Sequence, residues 1–383
     1  MMTASLKRWV GPALRLLLAA AAILLALILT VGFFMRIPAE GNTLAVDWKL
    51  IRPGIADWRV TYGPENGLRY PPWCVLLLLP LGRIPLAAGW GVVAFLTLMI
   101  LPLTLPRKGD SLRRLIPAVL ALVMAYPVLR TIADGNIEFL ILGGLILLEI
   151  GILRENPALL AAGVLLSAAK VQETWILLLF LPLLAGRKWG ARRAGAVLLL
   201  LALVVVPTLA WKGREWIFSM ASSPFRGSAM DSSLMAAIQR LGGSPAVLFL
   251  LWAAVFGATV AVGGRYIRGY SRDAVGFLTV SSLLLAPYAS SNNLLIPYAM
   301  AMVPLLRTRR WEGAVLVVLT NLPYLLVNIP DIARQYSTFY WTLVMVFARM
   351  VFAVRIRRMA AGPGSPAGTE SQQTPLHDGS DVA

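Results

Sequence analysis

What most constrains this 383-residue chain is a succession of apolar stretches, several of them near the length of a membrane-crossing helix, with strongly basic residues after every second one. The stretches lie near 14–34, 88–105, 114–130, 137–153, 157–169, 173–186, 193–211, 245–263, 274–288, 291–306, 313–328 and 338–355. A hydrocarbon core of about 30 Å takes about 20 residues of helix. With 58% of its residues hydrophobic and 14% charged, a soluble domain of this length could not hide so much apolar surface. A membrane β-barrel needs short segments that alternate apolar and polar residues, a pattern absent from the sequence. The expected fold is therefore an all-α polytopic membrane protein with about 12 transmembrane helices, by the count of apolar stretches above.

The loops orient this array. Lys7, Arg8 and Arg15 flank the start of the first stretch, and "RKGDSLRR", "LREN", "GRKWGARR", "RYIRGYSRD", "LRTRRWEG" and "RIRR" then follow alternate spans. Lysine and arginine accumulate in cytoplasmic loops, so both termini are expected in the cytoplasm and the protein in the plasma (cell inner) membrane. A formal charge of +17 would suggest nucleic acid in a soluble protein. Here the charge sits in short loops, so membrane lipids, not nucleic acid, are the expected contacts. Counting residues 72–87 as a further span would break the alternation. Pro72, Pro80 and Pro85 punctuate that segment, which is read as an interfacial helix in the first outer loop. Residues 1–358 form one integral membrane domain with outer loops 35–87 and 212–244; the Gly/Pro/Ser-rich residues 359–383 read as a disordered cytoplasmic tail.

Within this frame "LSAAKVQETW" (167–176) stands out. "LLAAGVLLSAA" rises from the basic face and "WILLLFLPLLAG" returns to it, so "KVQET" is the turn between two short half-spans. Charge in hydrocarbon is costly and usually marks a site. Lys170, Gln172 and Glu173 are therefore candidate binding residues, with Glu173 holding the ammonium. The alternative is a lysine that merely snorkels to the interface. On the site reading, Lys170→Met should leave folding intact, because methionine is cheaper than lysine in lipid.

Polar residues otherwise gather in the loops opposite the basic ones, among them Asp47, Asp57, Arg69, Arg130, Asp134, Asn136, Glu138, Arg240, Asn292 and Asn293. That places the chemistry outside the cytoplasm. The single histidine, His377, lies in the tail, and the single cysteine, Cys74, rules out an intrachain disulfide. No HExxH, Walker A, GxGxxG or CxxC pattern occurs. What remains is carboxylates and cations, suited to proton abstraction beside a phosphate leaving group. No metal and no cofactor is expected.

Four motifs in order carry a family resemblance: Asp47-Trp48 in the first outer loop, "YPPWCVLLLLPL" at 70–81, "DGNIEFLILGGLILL" at 134–148, and "LLAAGVLLSAAKVQETWILLLFLPLLAGRKW" at 159–189. Together they resemble the GT-C superfamily of polytopic glycosyltransferases, most closely glycosyltransferase family 87, the polyprenyl-phosphate-mannose-dependent α-mannosyltransferases. The resemblance implies a GT-C-like fold and inverting, metal-independent transfer of a sugar, mannose favoured, from a polyprenyl-phosphate donor to a lipid-linked or cell-envelope glycan acceptor. It implies Asp47 as general base, and Lys170 with one or more of Arg69, Arg130 and Arg240 on the lipid phosphate. Asp57-Trp58 repeats the Asp-Trp pattern and makes Asp57 the rival base; Asp47 could also be an ordinary loop aspartate or a helix cap. Two other classes stay open: a transporter or flippase of a lipid-linked saccharide, and a non-catalytic envelope scaffold.

Overall fold

The computed structural model describes residues 3–38, 43–62, 68–105, 112–186, 189–221, 231–308, 310–326 and 330–361. Among them every regular element is a helix and no strand occurs. Six stretches are long and apolar enough to cross a membrane: Leu16–Met35, Leu86–Thr104, Pro157–Leu179, Ala191–Met220, Pro245–Tyr266 and Tyr336–Ala361. The pair Leu115–Val123 and Tyr126–Asp134, bent by 45°, would make a seventh. The protein is membrane-integral and all-helical; the other apolar stretches read from the sequence form shorter or broken helices.

The chain begins with α1 (Thr3–Met35) and continues through α2 (Val46–Ala56), α3 (Pro72–Gly82), α4 (Leu86–Ile100), α5 (Leu112–Val123), α6 (Tyr126–Asp134), α7 (Glu138–Leu153), α8 (Pro157–Ser167), α9 (Val171–Leu179) and α10 (Leu181–Ala185). Next come α11 (Ala191–Ala221), α12 (Leu234–Arg240), α13 (Pro245–Tyr266) and α14 (Arg272–Leu284). The stretch Ser291–Thr308 mixes 3₁₀, α and π turns. A final pair, called α15 (Arg310–Asn321) and α16 (Pro330–Ala361) here, completes the bundle. Several starts are written locally. Asn156 accepts from the Ala158 and Leu159 amides with Pro157 behind it, and Ser244-Pro245 and Ser271 open α13 and α14 in the same manner. A side-chain oxygen satisfies an orphan amide, and proline fits the first turn, where no amide is needed.

Ion pairs tie helix ends together at one end of the bundle. Glu149 near the end of α7 holds Arg272 at the start of α14 (2.8 Å). Arg355 of α16 joins Asp273 and Glu312, each at 2.9 Å. Glu155, just before α8, pairs with Arg193 at the start of α11. The last pair fixes the path of the middle of the chain: α8 leaves from and α10 returns to the same end. Although Pro157–Leu179 has the length of a single span, the backbone breaks at Lys170 (φ −123°, ψ 86°), where Thr174 Oγ1 bonds back to the Ser167 carbonyl (2.8 Å). A straight helix would hold those two residues about 10 Å apart. The reversal expected at "KVQET" is present but falls earlier: Ala168–Lys170 form a 3₁₀ turn, and Val171–Thr174 already belong to α9.

Close approach of α7 and α8 depends on small residues. A Cβ on Gly144 would lie 2.3 Å from the Ser167 amide nitrogen, and one on Gly163 2.5 Å from that of Leu148. The α7–α8 pair thereby carries Glu138 and Lys170 together to the end opposite the ion pairs, about 16 Å along α7 from Glu149.

Two loop boundaries differ from expectation. The outer loop expected from 212 is helical to Ala221, because nothing between 208 and 221 breaks the helix; residues 222–230 lie outside the described residues. The expected tail begins within α16, which runs to Ala361, and residues 362–383, with His377, lie outside the described residues. The segment expected as an interfacial helix forms α3, an apolar helix of 11 residues.

Candidate active site

Asp47 lies in the first turn of α2, where the unpaired amides of a helix start favour a carboxylate. Its position is set by the residues on either side. Ala45 adopts a left-handed backbone (φ 55°), and its amide donates to the Ala133 carbonyl (2.7 Å), docking α2 on α6. Trp48 is fully buried and donates to the Leu86 carbonyl (3.0 Å). Trp90 does the same to Ile132 (2.6 Å). Gly135 seals the arrangement: with φ +69° and Trp48 Cβ 2.6 Å from where its own Cβ would stand, only glycine fits.

The turn at Gly135 presents Asn136, whose amide donates to Asp47 Oδ2 (2.8 Å) while its carbonyl oxygen accepts from the Ile137 amide (2.8 Å). Asp47 itself is half-buried. Burial pushes its carboxyl above the ordinary aspartate value; Lys170 opposes that rise, Glu138 adds to it, and Arg130 opposes it. Asp57, the rival, is exposed at the far end of α2. Ten residues of helix put it about 15 Å away along the axis, and it accepts from the Arg59 amide (2.9 Å) in a local turn.

Lys170 does not snorkel. It is 7% exposed and turned inward, its Nζ 2.5 Å from Glu138 Oε1 and 3.3 Å from Glu173 Oε1. Asn293, in the 3₁₀ turn that opens the Ser291–Thr308 stretch, donates to both carboxylates, at 3.2 Å to Glu138 and 2.5 Å to Glu173. Ser290 and Asn293 cap one another, which fixes that amide. Glu138 and Glu173 are fully buried, and each keeps its second oxygen, Oε2, without a hydrogen-bond partner. The ammonium expected to await a ligand with one carboxylate behind it thus sits between two.

The remaining candidates divide. Arg130 pairs with Asp134 (2.9 Å) on α6 with 37% of its side chain exposed, and it is one of the two cations that bear on Asp47. Gln172 is half-buried in the first turn of α9, next to Glu173. Arg69 is held on another wall by Ser219 (2.6 Å) and the Leu68 carbonyl. Arg240, on α12, bonds to Thr338. Neither arginine is among the charges that weigh most on Asp47. Among the described residues no three His, Cys, Asp or Glu side chains are grouped to hold a metal ion. Sequence reasoning gave no role to Glu138 or Asn293. The signal was available for Glu138: it opens a leucine-rich helix, and a carboxylate there needs a counterion as much as Lys170 does.

A membrane-integral helical bundle with a buried acid–cation cluster at one end, beside a half-buried carboxylate, has the parts of an intramembrane group-transfer enzyme. The model of glycosyltransferase family 87 matches residues 68–291, more than half of the chain. The chain belongs to glycosyltransferase family 87 and is a membrane-integral glycosyltransferase. The matched segment includes Glu138, Lys170 and Glu173; Asp47 and Asn293 lie outside it. No curated protein and no solved structure matches the chain significantly.

Proposed function

We propose that the protein transfers a sugar, mannose in the first instance, from a polyprenyl-phosphate donor to a hydroxyl of a lipid-linked or cell-envelope glycan, on the extracytoplasmic side of the plasma membrane. The observation that carries this reading is Asp47: half-buried, held by Asn136, and under the charge of two cations, Lys170 and Arg130. Asp47 takes the proton from the acceptor hydroxyl. That oxygen attacks the anomeric carbon from the side opposite the phosphate, the bond to the phosphate oxygen breaks, and the phosphate leaves with the electron pair. Configuration inverts. Arg130, with 37% of its side chain exposed, meets the charge that develops on the phosphate, and Lys170 meets it from within its carboxylate cluster, each through a charge-assisted hydrogen bond. A carboxyl raised above its ordinary value is the better proton acceptor once ionised.

The orientation rests on charge. The ion-paired end carries Arg154, Arg193, Arg268, Arg272, Arg307 and Arg355 around the helix junctions, and lysine and arginine favour the cytoplasmic side. Twelve passes with both termini on that side are supported by the reversal at Lys170, which turns Pro157–Leu179 into two half-spans. The shortness of α8, about 16 Å for 11 residues, supports a site recessed below the outer surface, with α3 lying along the interface above it.

The decisive experiment follows radiolabel from polyprenyl-phosphate mannose into membrane acceptors. Removing a positioned general base costs about 10²–10⁴-fold, so Asp47→Asn should lose activity on that order while Asp57→Asn keeps it. Normal turnover by Asp47→Asn beside an inactive Asp57→Asn would move the base to Asp57.

A further inference from the structure

The transfer chemistry above makes no use of Glu138, yet this carboxylate holds more of the site together than any other. Its Oε1 takes both the Lys170 ammonium (2.5 Å) and the Asn293 amide (3.2 Å), with the residue fully buried. Through Asn293 it is linked to Glu173, and through the two-residue step from Asn136 it is linked to Asp47. Three walls of the site therefore meet at one carboxylate: α7, the Lys170 turn and the Ser290–Asn293 turn.

We propose that Glu138 is a positioning residue, fixing the Lys170 ammonium and the Asn293 amide on one oxygen and supplying a standing negative charge near Asp47. The inference rests on the reading of Asp47 as the base. The titratable groups that face Asp47 from the surrounding elements are Arg130 and Asp134 of α6, Lys170, Tyr70, Tyr288 and Glu138. Arg130 and Asp134 form their own ion pair and largely cancel. Lys170 faces two carboxylates, so the trio of Glu138, Lys170 and Glu173 carries one net negative charge when all are ionised. Glu138 is the member whose charge adds to the rise at Asp47. Neutralising it removes that repelling charge and leaves the positive charge of Lys170 in place, which makes Asp47 more acidic.

The test compares wild type, Glu138→Gln and Glu138→Asp, purified in nanodiscs, with radiolabelled polyprenyl-phosphate mannose as donor. Asp47 works as a base only when ionised, so the rate falls as pH drops through its folded value, which lies above the usual 3.8. Glu138→Gln keeps the shape and loses the charge: the acid limb of kcat/KM should move to lower pH. Glu138→Asp keeps the charge and loses about 1.5 Å of reach: its limb should stay in place while kcat falls, about tenfold to a hundredfold for a misplaced group. A folded Glu138→Gln enzyme with the wild-type limb overturns the proposal, and so does a Glu138→Asp enzyme with wild-type kcat. Reductive methylation of Lys170, read by mass spectrometry, separates this inference from the base assignment. Glu138→Gln should raise labelling several-fold whatever residue is the base. If Asp47→Asn transfers normally while Glu138→Gln unmasks Lys170, the base assignment fails and the hold on Lys170 stands; unchanged labelling of Lys170 sinks that hold.

Discussion

Replacing Lys170 by methionine tests the buried cluster most directly. From the sequence, the exchange should be harmless, since methionine suits an apolar setting better than lysine. The structure reverses that expectation. Glu138 and Glu173 are 0% exposed, and the ammonium at 2.5 and 3.3 Å is their counterion. Methionine would fill the space and leave two buried carboxylates facing one another with only the Asn293 amide between them. Breaking a buried ion pair by removing one partner costs about 3–5 kcal/mol, a large share of the roughly 5–15 kcal/mol that holds a typical protein folded. The assay is the half-life of monodisperse protein in detergent at fixed temperature, because large proteins often unfold irreversibly and stability is then a rate. If the loss falls on the unfolding barrier, the half-life should shorten by about 10²-fold or more, at tenfold per 1.4 kcal/mol. The triple variant Glu138→Gln/Lys170→Met/Glu173→Gln removes all three charges and should recover most of the loss. Wild-type stability in Lys170→Met would refute the reasoning, as would a triple variant no more stable than the single one.

Two further outcomes test the frame of the site and its orientation. Gly135→Ala places a Cβ 2.6 Å from Trp48 and 3.1 Å from Trp90 at φ +69°; left-handed strain and overpacking together should cost about 2–5 kcal/mol, read as a shortened half-life, whereas Gly143→Ala, whose Cβ would meet only Ile100 at 3.8 Å, should be neutral or slightly stabilising. In intact cells Asp57→Cys should react with a membrane-impermeant thiol reagent and Gly190→Cys should not, both positions being exposed; the opposite pattern would invert the proposed orientation.

The membrane class, the helical architecture and the two-ended distribution of charge are determined by the sequence alone. Each depends on local properties: runs of apolar residues, prolines and serines at helix starts, and arginines in short loops. The reversal at Lys170 is equally local, because two half-spans of about a dozen residues are too short to pass and a polar turn separates them. Asp47 was legible only through its place in a family-like motif, since nothing in the residues nearby distinguishes Asp47-Trp48 from Asp57-Trp58. Tertiary structure gives the two different surroundings, bringing Asn136 across 89 positions to Asp47 and leaving Asp57 exposed at the other end of the same helix.

The tertiary structure also decided which polar groups work together. Periodicity and hydropathy tell which residues leave water; they do not tell which partner each one meets. Lys170 could be picked out as a costly charge, and Glu173, three residues on, as a local counterion. Its shorter contact is to Glu138, 32 positions away, and the amide that joins both carboxylates comes from Asn293, 155 positions from Glu138. The surroundings of Arg69 and Arg240 were hidden for the same reason: an outer-loop arginine reads alike in sequence whatever it meets, here Ser219 and Thr338. A buried charge announces by its cost that it has a partner, but which partner it meets depends on how distant helices pack, as glycines let α7 and α8 approach until Glu138 and Lys170 meet.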